Sequence, residues 1–198
     1  MISYKQAIEI IQSSIKPLQT GKSDVHSGYG VLAEDLFATS EIPEFSNSAM
    51  DGFALISSET AEASESKLIE LEIIGTIFAG ESPPETRLPF STYEIMTGAV
   101  VPKGFDSVVP VEQVTTIERD GKKFLVITDK VSNGRNVRLA GEDFKAGDVI
   151  LEKGNTIEPH VMMSAIANGI KSIKVYSPPK VSIVTTGSEL DNKDGPSI

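Results

Sequence analysis

Between Lys67 and Lys130 no window shows the helical spacing of apolar residues, and this constrains the fold more than any other feature. Ile69, Leu71 and Ile73 alternate with Glu70 and Glu72, the period of a strand with one apolar and one charged face. Tyr93-Glu94-Ile95-Met96 and Ser107-Val108-Val109-Pro110-Val111 are further strand candidates, with Ala79-Gly80 and Pro83-Pro84 as breaks before them. Val114 to Glu118 and Phe124 to Thr128 flank Arg119-Asp120-Gly121-Lys122, whose Asp-Gly pair predicts a hairpin tip. Turns this frequent predict a compact β module, barrel or sandwich.

Helices are expected only outside that module. Ser3 with Gln6 fits a capping box, and Tyr4, Ala7, Ile8, Ile11 and Ile15 follow helical spacing up to Pro17. The pattern predicts an amphipathic helix over residues 4–15 with its stripe packed in the core. Val31 to Leu36 reads as a short helix or turn, and Ser57 to Ser66 as a solvated connector or short exposed helix. Val149-Ile150-Leu151 and Asn155-Thr156-Ile157 predict a hairpin across Lys153-Gly154. Pro159 suits a first helical turn, in a helix that carries Val161, Met162, Ala165 and Ile166 inward and stops at Gly169. A strand follows over Ser172 to Tyr176.

Val181-Ser182-Ile183-Val184-Thr185 is a near-continuous apolar run, the pattern of a strand buried on both faces of a parallel sheet. One such strand cannot make an α/β domain, so either the strand docks elsewhere or, as expected, the 198 residues are the first part of a longer protein. The net charge of −10 argues against a nucleic-acid surface, which needs clustered Lys and Arg. No apolar run reaches the ~18 residues of a membrane span, and residues 1–6 lack the layout of a signal peptide. Cysteine is absent, which excludes disulfides, thiolate metal sites and cysteine nucleophiles and favours a cytoplasmic protein. His26 and His160 stand apart from any ligand cluster and read as structural.

The stretch from Ile42 to Ala54 has neither a helical nor a strand period. Ser46, Asn47 and Ser48 favour turns and caps, and Asp51-Gly52 is a turn signal with Gly52 free to take φ > 0. Local pattern alone reads it as a surface loop ending in a turn. Ser48-Ala49-Met50-Asp51-Gly52-Phe53-Ala54, however, resembles the signature of the MoeA family of molybdopterin molybdotransferases, related to the gephyrin E domain. Ile95-Met96-Thr97-Gly98-Ala99-Val100-Val101-Pro102-Lys103-Gly104, Gly141-Glu142-Asp143 and Thr186-Gly187-Ser188-Glu189-Leu190 resemble the family's later motifs, in its order. Phe53 stands where the family usually has Tyr, Val100 where it has Pro and Ser188 where it has Asp; the family's Arg before Val31 is missing.

The resemblance implies an α+β, mostly β fold. Residues 1–50 and 138–178 would form a discontinuous mixed domain, 51–137 an inserted β-rich domain, and 179–198 the first strand of a truncated molybdopterin-binding α/β domain. It implies insertion of molybdate into adenylylated molybdopterin with release of AMP, assisted by Mg²⁺, in a homodimer. Carried over by motif, Asp51, Asp143 and Glu189 would be the catalytic acids. Ser48, Gly52, Thr97, Gly98, Thr186 and Gly187 would meet the pterin substrate or its phosphates, the glycines by permitting close backbone approach. The metal ligands are not specified. The alternative is a non-catalytic dimerisation or scaffold module, as the gephyrin likeness allows.

Overall fold

A computed structural model of the chain describes residues 2–27 and 29–184. In chain order it holds α1 (Tyr4–Ser14), β1 (Thr20–Asp24), β2 (Leu36–Phe37), β3 (Asn47–Ser48), β4 (Gly52–Leu55), β5 (Ile69–Ile77) and β6 (Ser91–Ile95). There follow β7 (Ser107–Pro110), β8 (Thr115–Arg119), β9 (Lys122–Ile127), β10 (Val137–Arg138), β11 (Val149–Leu151), α2 (Pro159–Ala167) and β12 (Ser172–Tyr176). Among the described residues the fold is therefore mostly β with two α-helices.

The β module forms one six-stranded mixed sheet in the order β7-β4-β6-β5-β9-β8, with β5 and β6 parallel. Gly52-Phe53-Ala54-Leu55 lies inside it and is buried along its length. Alternation sends Phe53 and Leu55 into one cluster with Leu71 and Leu125, and Ala54 and Ile56 into another with Tyr93 and Ile95. Burying each such side chain removes about 1.5–3 kcal/mol of apolar exposure from water, so the strand that follows Asp51 is rigidly seated. Phe53, which stands where the family usually has Tyr, is buried among Leu55, Leu71, Val109 and Leu125. At the β8–β9 tip Asp120 and Gly121 take φ of 52° and 73°, the mirror-image turn that Asp-Gly predicts.

Three short ladders tie early segments to late ones: β1 with β12, β2 with β11 and β3 with β10, all antiparallel. Beneath the β1–β12 and β2–β11 ladders Val25, Leu32, Ile157, Val161, Ala165 and Ile173 make a third core, while Val137 of β10 packs against the sheet's own core. Pro159 opens α2 and Gly169, at φ 71°, follows its end, as expected.

Several expectations are corrected. Val149–Leu151 and the segment around Thr156 do not pair with each other. β11 pairs with β2, Thr156 bridges Val31, and Gly154 donates its amide to the Leu32 carbonyl. The earlier chain offers both segments a ladder and a shared core, which outweighs a local turn. Val31 to Leu36 is accordingly irregular chain entering β2, with no helix. Residues 57–60 form a 3-10 turn whose Ser57 and Thr60 are buried, against the expected solvated connector. Ile166 faces solvent, while Val161 and Ala165 are buried.

α1 forms with the predicted capping box, yet none of its residues is buried, and Tyr4, Ile10 and Ile11 are more than half exposed. Caps and periodicity act within a few residues and make the helix; the described chain supplies no surface to cover its apolar stripe. Residues 181–184 join no sheet, and Val181 and Ile183 are exposed. A strand buried on both faces needs neighbours, and none lies beside it among the described residues. The last residue of that run, Thr185, lies outside them.

Candidate functional site

Residues 42–52 form a spine that several distant segments bond to. Its first part meets the 141–144 loop: the Gly141 amide donates to the Pro43 carbonyl, and the Asp143 and Phe144 amides to Ile42. Its middle, β3, pairs with β10, while the Ala140 amide bonds Ser46 Oγ at 3.2 Å. The end carries Asp51 out on an exposed turn, and Gly52 then enters the sheet. One irregular stretch thus brings the first three motifs of the sequence together.

At its tip Asp51 Oδ1 accepts the Thr97 amide at 2.7 Å and the Thr97 hydroxyl at 2.6 Å. The Thr97 hydroxyl bond, then the Thr97 amide bond, hold the Asp51 carboxyl below its ordinary pKa, against a smaller opposing effect of burial. Asp51 is consequently a fixed negative charge at neutral pH. Its turn is anchored from behind. Val111 donates its amide to the Asp51 carbonyl at 3.1 Å, and Ser48 Oγ donates to the Met50 carbonyl at 2.6 Å. Thr97 and Gly98 are both exposed, and Gly98 takes φ 80°, a conformation that a side chain would strain.

Two expected site residues sit differently from what their motif suggests. Ser48 is 1% exposed with its hydroxyl engaged on Met50, so it points inward. Gly52 is buried and is not in the left-handed region; a Cβ there would strike the Val109 carbonyl of β7. The close approach it permits is that of a neighbouring strand. Asp143 is exposed, and Arg138 Nη2 donates to its Oδ2 at 2.7 Å. Sequence reasoning passed over Arg138. The available signal was a lone cation five positions before an acid, too common to single out, and only the β3–β10 ladder presents it beside the spine. Thr186, Gly187 and Glu189 lie outside the described residues.

Among the described residues no three His, Asp or Glu side chains gather as metal ligands. His160 is exposed, with its Nδ1 3.4 Å from Glu158 Oε2. No described helix is long and apolar enough to cross a membrane. The arrangement offers a fixed carboxylate with a hydroxyl beside it, and a second carboxylate, paired to a guanidinium, in the loop that bonds to the same spine.

The family model described as MoeA N-terminal region (domain I and II) matches residues 2–169. The molybdopterin molybdenumtransferase of Synechococcus elongatus is 35% identical over 194 residues, covering 96% of this chain and 47% of that protein. That of Bacillus subtilis is 38% identical over 165 residues, covering 83% of this chain and 38% of that protein. The crystal structure of the molybdopterin biosynthesis moeA protein from Pyrococcus horikoshii matches with a TM-score of 0.85 at 32% identity. It covers 98% of this chain and 50% of that one. The chain thus spans half or less of the length of each of these relatives.

Proposed function

The chain belongs to the MoeA family through its N-terminal region, and on that footing we propose that it is part of an enzyme of molybdenum-cofactor biosynthesis. The reaction is insertion of molybdate into adenylylated molybdopterin with release of AMP. One observation carries the placement of the chemistry: the exposed Asp51 carboxylate is pre-set by two bonds from Thr97. Groups held in place before the substrate arrives are what electrostatic catalysis requires.

Chemistry narrows what Asp51 can do. A carboxylate held below its ordinary pKa is a poor general acid and a weak base near neutrality. It would also repel an oxyanion. Its role in this reading is to accept hydrogen bonds from N–H or O–H groups, those of the pterin or of an attacking water, and so orient them. Asp143, steadied by Arg138, does the same from the loop bonded to the other end of the spine. Thr186, Gly187 and Glu189 would complete the cleft from the next domain. The resemblance brings Mg²⁺ with it; among the described residues no three His, Asp or Glu side chains gather, and an ion of this kind is commonly held by one or two carboxylates together with substrate phosphates.

This reading divides the chain into residues 1–50 with 138–178, then 51–137, then 179–198, and sets it in the cytoplasm. It also makes the working protein a homodimer, for which the uncovered apolar stripe of α1 is the support. That stripe equally suits the second reading, a scaffold or dimerisation module without turnover. Molybdate-dependent AMP release from adenylylated molybdopterin by the full-length gene product separates the two. Release that falls with Asp51→Asn supports the enzyme; a folded, dimeric protein with no release supports the scaffold.

A further inference from the structure

The Asp51–Thr97 pair closes a ring of hydrogen bonds that runs through one buried residue. Ser48 bonds the Thr97 turn with its backbone: its amide donates to the Ala99 carbonyl at 3.0 Å, and its carbonyl accepts the Gly98 amide at 2.8 Å. It bonds the Asp51 turn with its side chain, Oγ donating to the Met50 carbonyl at 2.6 Å and accepting the Met50 amide at 3.3 Å. The Thr97 amide and hydroxyl then close the ring on Asp51. Met50 and Asp51 are exposed, with the Val111 amide holding the Asp51 carbonyl from behind; Ser48, which ties Met50, is 1% exposed and cannot move independently of the β3–β10 ladder.

We propose that Ser48 is a positioning residue, whose hydroxyl locks the turn bearing Asp51 onto the turn bearing Thr97. The geometry fits this better than a substrate contact, because the hydroxyl both donates and accepts within the ring and has no solvent face. Serine is also the side chain that suits the place. It is the shortest that can reach Met50, and its hydroxyl serves both the amide and the carbonyl of that residue. Loss of the hydroxyl leaves the Met50 carbonyl without its partner and lets the turn swing, so that Asp51 keeps its charge but not its direction.

The consequence for turnover rests on the functional reading of Asp51; the lock itself does not. Native-state hydrogen exchange tests the lock without substrate. Among the described residues the Thr97 amide is bonded to Asp51 Oδ1 alone, so its exchange reports the pairing. In Ser48→Ala the Thr97 amide should exchange at least about tenfold faster, while β5 and β9 amides stay within about twofold of the parent. Thr60→Ala removes another fully buried hydroxyl, bonded to Ser57 and Val131, and should leave Thr97 unchanged relative to β5. In the parent chain, Thr97 and Met50 amides should open in one event, with the same dependence on dilute denaturant. That measurement decides the matter if Ser48→Ala does not fold. Exchange at Thr97 that rises only in step with the whole sheet, rises equally in Thr60→Ala, or is uncoupled from Met50 in the parent overturns the proposal. If the lock holds while Asp51→Asn keeps full activity, the functional reading fails and the positioning role stands.

Discussion

Asp51 and Thr97, 46 residues apart, are joined through a single carboxylate oxygen that takes both the amide and the hydroxyl of Thr97. The two longest motifs of the sequence are one unit in space. Only Oδ1 is used, and the residue remains exposed, so the pairing fixes the carboxylate without consuming it.

Asp51→Asn separates charge from shape. The amide oxygen can accept both Thr97 bonds, and Asn suits the same turn. In the full-length protein, melting temperature and dimerisation should match the parent, while molybdate-dependent AMP release falls at least about tenfold. Activity within about twofold of the parent on the same preparation would make Asp51 a turn residue.

The pairing has a pH signature. Asp51 has a folded pKa below its unfolded one, so its contribution to stability is present above the ordinary carboxylate range and is lost as pH falls through the depressed value. Following the Asp51 carboxyl carbon by NMR from about pH 6 to 2 should show protonation later than in an unfolded peptide. Thr97→Val deletes the larger cause, the hydroxyl bond, and should move the midpoint back toward the ordinary value. A midpoint in the parent equal to the peptide's would contradict the geometry.

Gly52→Ala should be costly for a reason unrelated to substrate. A Cβ there collides with the Val109 carbonyl, and backbone must shift between β4 and β7. Overpacking of this kind costs about 1–3 kcal/mol, and the upper end is expected because the obstacle is main chain. Chemical denaturation should show it. A stable Gly52→Ala protein would mean that the strands are less closely apposed.

Arg138→Gln tests the second carboxylate. Both partners of the Arg138–Asp143 pair are about half exposed, so stability should change by less than about 1 kcal/mol. Turnover of the full-length protein should nonetheless drop severalfold, with Arg138→Lys restoring only part of it, since an ammonium lacks the planar fork. Equal losses in stability and activity would assign the pair to the fold.

Much was legible without coordinates. The Ser3–Gln6 capping box, the Asp120-Gly121 tip, Pro159 at the head of α2 and the alternation through Ile69 to Ile73 all formed where the residues placed them. The motif order led to the family, and the Asp51–Thr97 pairing agrees with reading those two motifs as one site. Arg138 was not legible, because its partner and its place beside the spine depend on a two-residue ladder between distant segments, Arg138 on Asn47, 91 positions away, and Val137 on Ser48, 89 positions away.

What the sequence determined by itself is what residues settle with neighbours three or four positions away: caps, turn handedness, strand alternation. Tertiary structure decided which segments fill one another's hydrogen bonds. Lys153-Gly154 could have closed a hairpin, but Val31 and Leu32 took those bonds because doing so also buried Leu32 against Ile157 and Val161. Gly52 could have served a left-handed turn, but β7 came close enough to need its bare backbone. α1 had every local reason to be a helix and still lies uncovered, since a stripe of apolar residues specifies that a surface be covered and not what covers it. Local chemistry acts along the chain, whereas burial depends on which distant surfaces meet.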